Sequence, residues 1–316
     1  MNKFIQSILG SRQKKPVEEY DPTLFRMAKT WASELQPGLV SPQALFGSSL
    51  CRMEDLIHPR YQQLCREALR VEPLLHRKQW EFIYILEKLR LNGCLEAGKK
   101  GLGFGVGTEP LSSYFVSQGC VILATDAPGD ITDEGWKHTA QHATNRENLW
   151  YSQIVEEQLF KENCTFKPLD MNDYGSIPEG YDFHWSSCVI EHLGGIRKAL
   201  DFVLESVERL APGGVAVHTT EFNLSSDVET IDQAGTCILR GSDMKELVAA
   251  LIERGYEVTP LLLDPGMHPY NYHVDAPPYH GAVHLRLLLE RFAATSLGLV
   301  VRKPLVNLSK EQFEPV

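Results

Sequence analysis

The residues best suited to chemistry begin in a glycine run, Gly101-Leu-Gly-Phe-Gly-Val-Gly-Thr-Glu109. Gly103, Gly105 and Gly107 form G-x-G-x-G, and glycine both reaches positive φ and lets backbone approach a ligand closely. At the carboxyl end of a first strand such a turn makes a cofactor site. Asp126 ends the next β-rich run, 19 residues after Gly107. An acid there can accept both ribose hydroxyls of a nucleoside. Asp170 ends a third run, in Leu169-Asp-Met-Asn-Asp173. Its carboxylate can accept from an adenine amino group while Met171 packs on the ring face. Taken singly, each acid also fits a turn or a helix cap (Pro128 and Gly129 follow Asp126). Their order behind the glycine run favours a nucleoside site.

Two other phosphate-binding readings fail on the residues. The dinucleotide fingerprint G-x-G-x-x-G ends on Val106, Thr108 or Pro110 when it starts at Gly101, Gly103 or Gly105. No G-K-[ST] is present, so the P-loop fails as well.

The elements that must position these residues follow from the hydrophobic pattern. Residues 1 to about 20 are polar and are expected to fray. From 21 to 92 the chain reads as several helices broken at Pro37, Pro42, Pro59 and Pro73, and Phe82, Ile85, Leu86 and Leu89 recur at helical spacing in the last. After Lys100 the pattern alternates. Strands are expected before the glycine turn and at Val121–Ala124, Thr165–Leu169, Tyr181–Ser186, Val215–Thr219, Tyr256–Leu263 and Thr295–Val301. Helices are expected at Ser112–Gln118, along Leu200, Val203, Leu204, Val207 and Leu210, and along Met244, Leu247, Val248, Leu251 and Ile252. Pro212-Gly-Gly214 and Gly255 stop the last two. Strands alternating with helices imply an α/β fold: a Rossmann-like, seven-stranded, mostly parallel sheet with helices on both faces. Residues 1–92 read as an N-terminal helical lobe and 93–316 as the core, with an insertion near 264–285.

Composition narrows the function. The formal net charge of −10 opposes a non-specific grip on nucleic acid or an anionic membrane, since both need a basic field. No apolar run has the length of a transmembrane helix or of a signal peptide's core. The seven cysteines are widely spaced, odd in number and lack C-x-x-C, which favours reduced thiols and a cytoplasmic protein.

Together the glycine turn, Asp126, Leu169-Asp170-Met171, the segment Tyr181-Asp-Phe-His-Trp-Ser-Ser-Cys-Val-Ile-Glu191-His192-Leu193 and Leu210-Ala-Pro-Gly-Gly214 resemble the class I S-adenosylmethionine-dependent methyltransferases. The resemblance covers roughly 95–305. It implies the α/β fold, an antiparallel last strand at Thr295–Val301, and S-adenosyl-L-methionine held by Gly103, Gly105, Gly107, Asp126, Asp170 and Met171. One position departs from the pattern. The acid the family usually carries two residues before the first loop glycine is Gly101 here, and Glu109 is the candidate partner for the cofactor's amino group. Several stretches, among them Thr220-Glu-Phe-Asn-Leu-Ser-Ser226 and Val274-Asp-Ala-Pro-Pro-Tyr279, are similar to bacterial methyltransferases of surface-glycan or small-molecule pathways.

That resemblance implies methyl transfer to a hydroxyl of a sugar-like or small polar acceptor. Positioning dominates such a displacement, and a hydroxyl also needs a base. His192, after the Tyr181–Ser186 strand, is the first candidate, and Glu221 the second. Asn223 is the candidate to hold an acceptor hydroxyl. His268, His273, His280 and His284 crowd a Pro- and Tyr-rich insertion with Asp275 and Tyr279. Their spacing matches no metal motif, so His273, Asp275 and Tyr279 are read as acceptor-binding rather than as metal ligands. The alternatives are an N-methyltransferase of a small amine or peptide and a non-catalytic binding protein of the same fold.

Overall fold

The structure is a computed structural model that describes residues 45–129, 142–279 and 283–305, with Met27. The expected frayed 1–20 stretch and the breaks at Pro37 and Pro42 lie outside the described residues.

The frame is one sheet ordered β3-β2-β1-β4-β5-β9-β8-β7, with β6 also on β9. β1 (Lys100–Phe104) pairs in parallel with β2 (Val121–Asp126) on one side and β4 (Tyr181–Ser187) on the other. β3 (Cys164–Pro168) continues outward from β2, and β5 (Leu210–Asn223) from β4. β9 (Phe292–Arg302) runs antiparallel to β5. The strand order therefore reverses beside β1, and the crevice at the carboxyl ends of β1 and β4 is the place where open α/β sheets bind ligands.

The fold class matches the sequence reading, with three differences. First, the strand expected at 256–263 pairs only as β6 (Glu257–Val258), because Pro260 has no N–H to carry the ladder on. The chain instead runs past Ser49, whose N–H donates to the Leu262 carbonyl. Second, β7 (Val274–Asp275) and β8 (Arg286–Leu289) extend the sheet beyond the seven strands expected, and the insertion near 264–285 supplies β7. Third, β5 runs on to Asn223, so Glu221 and Asn223 lie within a strand rather than after one.

Helices cover both faces. α1 (Met53–Leu56), α2 (Pro59–Glu67), α3 (Arg77–Leu91), α4 (Leu111–Ser117) and α5 (Glu157–Asn163) precede α6 (Ile196–Glu208) and α7 (Gly241–Glu253). One apolar cluster joins α2, α3 and α4 to Phe183 and Trp185, and a second joins α6 and α7 to Leu102, Ala216 and Leu299. Pro59 opens α2 at its first position, where a missing N–H costs nothing.

The described part of the expected lobe is built into this sheet. The N–H of Cys51 donates to the Ser296 carbonyl, and that of Gly298 to the Ser49 carbonyl. α3 is buried on the expected Phe82, Ile85, Leu86 and Leu89 and also on Trp80, Ile83 and Tyr84. Each large apolar side chain so buried contributes about 1.5–3 kcal/mol, so α3 is a layer of the core rather than an appendage. It lies close to β9 because Gly298 has no side chain there: a Cβ would come within 2.2 Å of the Tyr84 ring.

Gly298→Ala should therefore force α3 and β9 apart and destabilise the fold by about 1–3 kcal/mol. Gly129→Ala, where a Cβ meets nothing within 4 Å, is the control. Urea unfolding of both checks this, and equal midpoints would show that α3 is not seated through Gly298.

Candidate active site

A cleft of about 520 Å³ opens at the carboxyl ends of β1, β2, β3 and β4. Its floor is the turn after β1. Gly105 and Gly107 take φ of 54° and 52°, a left-handed conformation that favours glycine. A Cβ on Gly105 would also lie 2.4 Å from Val189. Gly103 has a different job from the one expected. It lies inside β1, where a Cβ would meet the Trp185 ring at 2.3 Å, and it does not line the cleft. Gly101 makes the same room for the Phe183 ring.

Asp126 reaches back from the end of β2 and fixes this turn. Its carboxylate accepts from the N–H of Gly107 at 3.0 Å, of Ala127 at 2.8 Å and of Ala143 at 2.9 Å. His142 Nδ1 lies 3.3 Å away. Asp170 and Met171 follow β3 and line the next stretch, where Asp170 Oδ1 accepts from the N–H of Asn172 at 2.9 Å. Glu109 stands just before α4, lines the cleft and is 4 % exposed. Burial drives its carboxyl up to about 8, although Trp185 Nε1 donates to it at 2.6 Å. The chain thus brings a carboxyl into the cleft from beyond the turn, while the Gly101 position is filled by an aromatic ring.

The other end of the cleft is more highly charged. β4 ends at Ser187, Cys188 follows it, and a 3-10 turn, Ile190–His192, carries Glu191 and His192 into the lining. His192 Nδ1 lies 2.9 Å from the Gly235 carbonyl, and burial lowers its pKa, so the neutral ring donates from Nδ1 and carries its lone pair on Nε2. Glu191 is fully buried. Burial, then the neighbouring Glu221, push its carboxyl up to about 8.

Glu221 lines the same end, but its Oε1 is held in an ion pair by Arg77. A carboxylate neutralised in this way is a poor base, which counts against the proton-accepting role expected of it. Glu191 Oε1 and Glu221 Oε2 are buried without hydrogen-bond partners. Arg77 and Lys78, from the first turn of α3, also reach the lining. Both are anchored on buried Glu81, at 3.1 and 2.7 Å. Burial opposes ionisation of Glu81, yet Lys78 and Arg77 outweigh it and hold the carboxylate down at about 2.

The expected acceptor-binding residues divide. Asn223 does not line the cleft. Its amide is spent on its own loop, accepting from the N–H groups of Ser225 and Ser226 and donating to the Glu229 carbonyl. His273 is exposed and outside the lining, and Tyr279 is likewise outside it, donating to the Leu288 carbonyl at 2.9 Å. Asp275 stands behind the lining and binds His284, which does line it, at 2.6 Å. His280 lies outside the described residues. Among the described residues no three His, Cys, Asp or Glu side chains gather as a metal-ligand group. The seven cysteines are all buried and unpaired with one another.

Residues that the sequence reading missed are His76, Arg77 and Lys78, with Glu81 beneath them. The only signal was a basic run opening an amphipathic helix, and nothing in the spacing tied Arg77 to Glu221 across 144 residues.

No family model matches the chain, and no curated protein matches it. Among solved structures it is similar to a putative sarcosine dimethylglycine methyltransferase from Galdieria sulphuraria, at 15% identity over 89% of this chain and 99% of that one, with a TM-score of 0.48. It is also similar to an S-adenosylmethionine dependent methyltransferase from Mesorhizobium loti, at 12% identity over 69% and 96%, with a TM-score of 0.40. The glycopeptide N-methyltransferase MtfA complexed with sinefungin gives 11% identity over 72% and 87%, with a TM-score of 0.42. At these values the likeness carries no argument of its own; the Rossmann-like fold rests on the strand order, and the function on the cleft.

The raised Glu191 carboxyl makes a linked prediction about stability. Unfolded, a glutamate ionises near 4.5; folded, Glu191 does so near 8. Between those values the fold holds a proton that the unfolded chain has lost, so its contribution to stability falls as pH rises. Glu191→Gln should unfold at a higher temperature than the native protein, by a margin that widens from pH 5 to pH 8. A margin independent of pH, in thermal scans by circular dichroism, would mean that Glu191 is ionised in the fold.

Proposed function

We propose that the cleft binds S-adenosyl-L-methionine and that the chain transfers the methyl group to an oxygen of a small polar acceptor, such as a sugar hydroxyl. The observation that carries this reading is one cleft at the strand reversal. It joins a glycine turn pinned by Asp126 to a buried, largely protonated Glu109. Gly105 and Gly107 let the backbone come close to the ligand. Asp126 accepts from the ribose hydroxyls with the lone pairs its three N–H donors leave over. Asp170 and Met171 take the adenine, and Glu109 takes the amino group of the methionine portion. Of the residues first assigned to the cofactor, Gly103 supports the site from below.

The cofactor, when bound, supplies a methyl group on a cationic sulfur. The chain does the rest. Glu109 gives up its proton to meet a cationic group, and the carboxyls of Glu191 and Glu221 have oxygens without partners for an acceptor's polar groups. Arg77 and Lys78 offset the negative charge on this side. His76, His192 and His284 are neutral imidazoles that line the cleft. The acidic net charge supports a small acceptor rather than a nucleic acid.

The same pair of carboxyls supports a second reading. A neutral amine placed between Glu191 and Glu221 would donate to their open oxygens and keep the lone pair that N-methylation needs. Mass analysis of the methylated product distinguishes oxygen from nitrogen.

Calorimetry tests the cofactor assignment. S-adenosylmethionine and S-adenosylhomocysteine should bind with similar, micromolar-range affinity. Because Glu109 must ionise to hold the amino group, binding should tighten as pH rises from 6 towards 8 and release protons. Glu109→Gln should weaken binding and flatten that pH dependence. Binding of neither ligand, with binding of a nicotinamide dinucleotide instead, overturns the reading.

Asp126→Ala should weaken S-adenosylhomocysteine binding by about 1–3 kcal/mol. It should also lower the unfolding temperature, since three backbone N–H groups lose their acceptor. Native affinity in the folded variant would remove Asp126 from the site.

A further inference from the structure

The acceptor end holds a carboxylate–imidazole pair drawn from the histidine-rich insertion. Asp275 Oδ2 lies 2.6 Å from His284 Nδ1. Asp275 comes from β7 and His284 from the approach to β8, and the parallel pairing of these two short strands sets the distance. The backbone of His284 is fixed on both sides: its N–H donates to the Leu75 carbonyl at 2.7 Å, and its carbonyl accepts from the N–H of Arg77 at 2.9 Å. The ring stacks on His76 with centroids 4.4 Å apart and planes 26° apart. Tyr279 meets it edge-on at 5.9 Å. Backbone, stacking and carboxylate therefore hold the ring in one orientation.

That orientation has a chemical consequence. A neutral imidazole next to a carboxylate on Nδ1 donates from Nδ1 and keeps its lone pair on Nε2. His284 lines the cleft and Asp275, which takes Nδ1, does not, so Nε2 is the ring nitrogen not engaged by the carboxylate. We propose that His284, held by Asp275, is the base that takes the proton of the acceptor hydroxyl. This rests on the reading that the cleft methylates an oxygen.

In the transfer the acceptor O–H bond breaks and its proton passes to Nε2. The O–CH₃ bond forms as the C–S bond breaks, and that bond's electron pair stays on sulfur. The imidazolium so formed sits against the Asp275 carboxylate until its proton leaves to solvent. His192 Nδ1 faces the neutral Gly235 carbonyl instead. Glu221 is already paired with Arg77.

The groups around His284 act in both directions. Burial first, then Arg77, oppose protonation, while Asp275 and Glu221 favour it. His76 is itself kept neutral, chiefly by burial. The balance lies below the ordinary histidine value, so the ring is neutral at pH 7 and able to accept.

The test combines histidine ¹⁵N NMR on the whole chain with turnover on a panel of methyl glycosides and polyols, read by S-adenosylhomocysteine release. The His284 ring, assigned by its loss in His284→Gln, should carry its proton on Nδ1 at pH 7. His284→Gln should bind S-adenosylhomocysteine with native affinity and lose about 10²–10⁴-fold in kcat with little change in KM. In the native protein kcat should fall on the acid side with the pKa of the His284 ring. Asp275→Asn should lower both values together, which a purely structural contact would not do. A ring protonated on Nε2 or cationic at pH 7, kcat in His284→Gln within about threefold of native, or turnover confined to amines would each overturn the proposal. If no hydroxyl on the panel is methylated, the state of the ring decides. Failure of the native protein to bind S-adenosylhomocysteine would instead overturn the cofactor reading.

Discussion

One buried carboxylate organises the charged end of the cleft. Glu81 is wholly enclosed and accepts from Lys78, Arg77, Ser187 and Ser296, so it joins α3 to β4 and β9. An unpaired charge at such a depth would cost several kcal/mol. Four donors remove that cost and in return are held in place. Arg77 is thereby aimed at Glu221 on β5, and Lys78 at the cleft. The arrangement works only because Gly298 lets α3 lie close against β9. A contact far from the cleft thus sets the charge inside it.

The two ends of the cleft are prepared in different ways. At the Asp126 end, backbone N–H groups converge on that carboxylate, so the turn is already formed before a ligand arrives. Beyond it, Glu109 and Glu191 are kept from ionising chiefly by burial. A cationic ligand would reverse that state for Glu109, which couples binding to proton release. At the other end, Arg77, Lys78, Glu81 and Glu221 nearly cancel in charge. His284 sits beside this cluster with its own carboxylate, so proton acceptance has a counter-ion that Arg77 does not share.

The sequence revealed the features that are local. The ends of β2 and β3, the turn at Gly105 and Gly107, and the acids Asp126 and Asp170 each follow from a short pattern, and they meet because consecutive strands lie side by side. Glu109 was legible for the same reason, being two residues past the turn. What depended on strand length was misread: β1 runs through Gly103, and β5 runs through Asn223, whose amide then serves its own loop. What depended on distant pairing was not visible at all. Arg77 meets Glu221 only after α3 is laid on β9; His284 and Asp275 were grouped in one insertion, but the pairing of β7 with β8 decides that this histidine is the one that meets the acid. Histidines close in sequence in the insertion take different surroundings: His268 and His273 flank the 3-10 turn Pro269–Tyr272, and the first is buried while the second is exposed.

The central claim is the placement of the cofactor across this cleft, and a crystal structure with S-adenosylhomocysteine tests it most directly. The account places the ribose on Asp126, the adenine between Asp170 and Met171, the amino group on Glu109, and the sulfur facing the end lined by Glu191 and His284. A ligand bound elsewhere, or one lying in the cleft with its sulfur turned away from that end, would contradict the account.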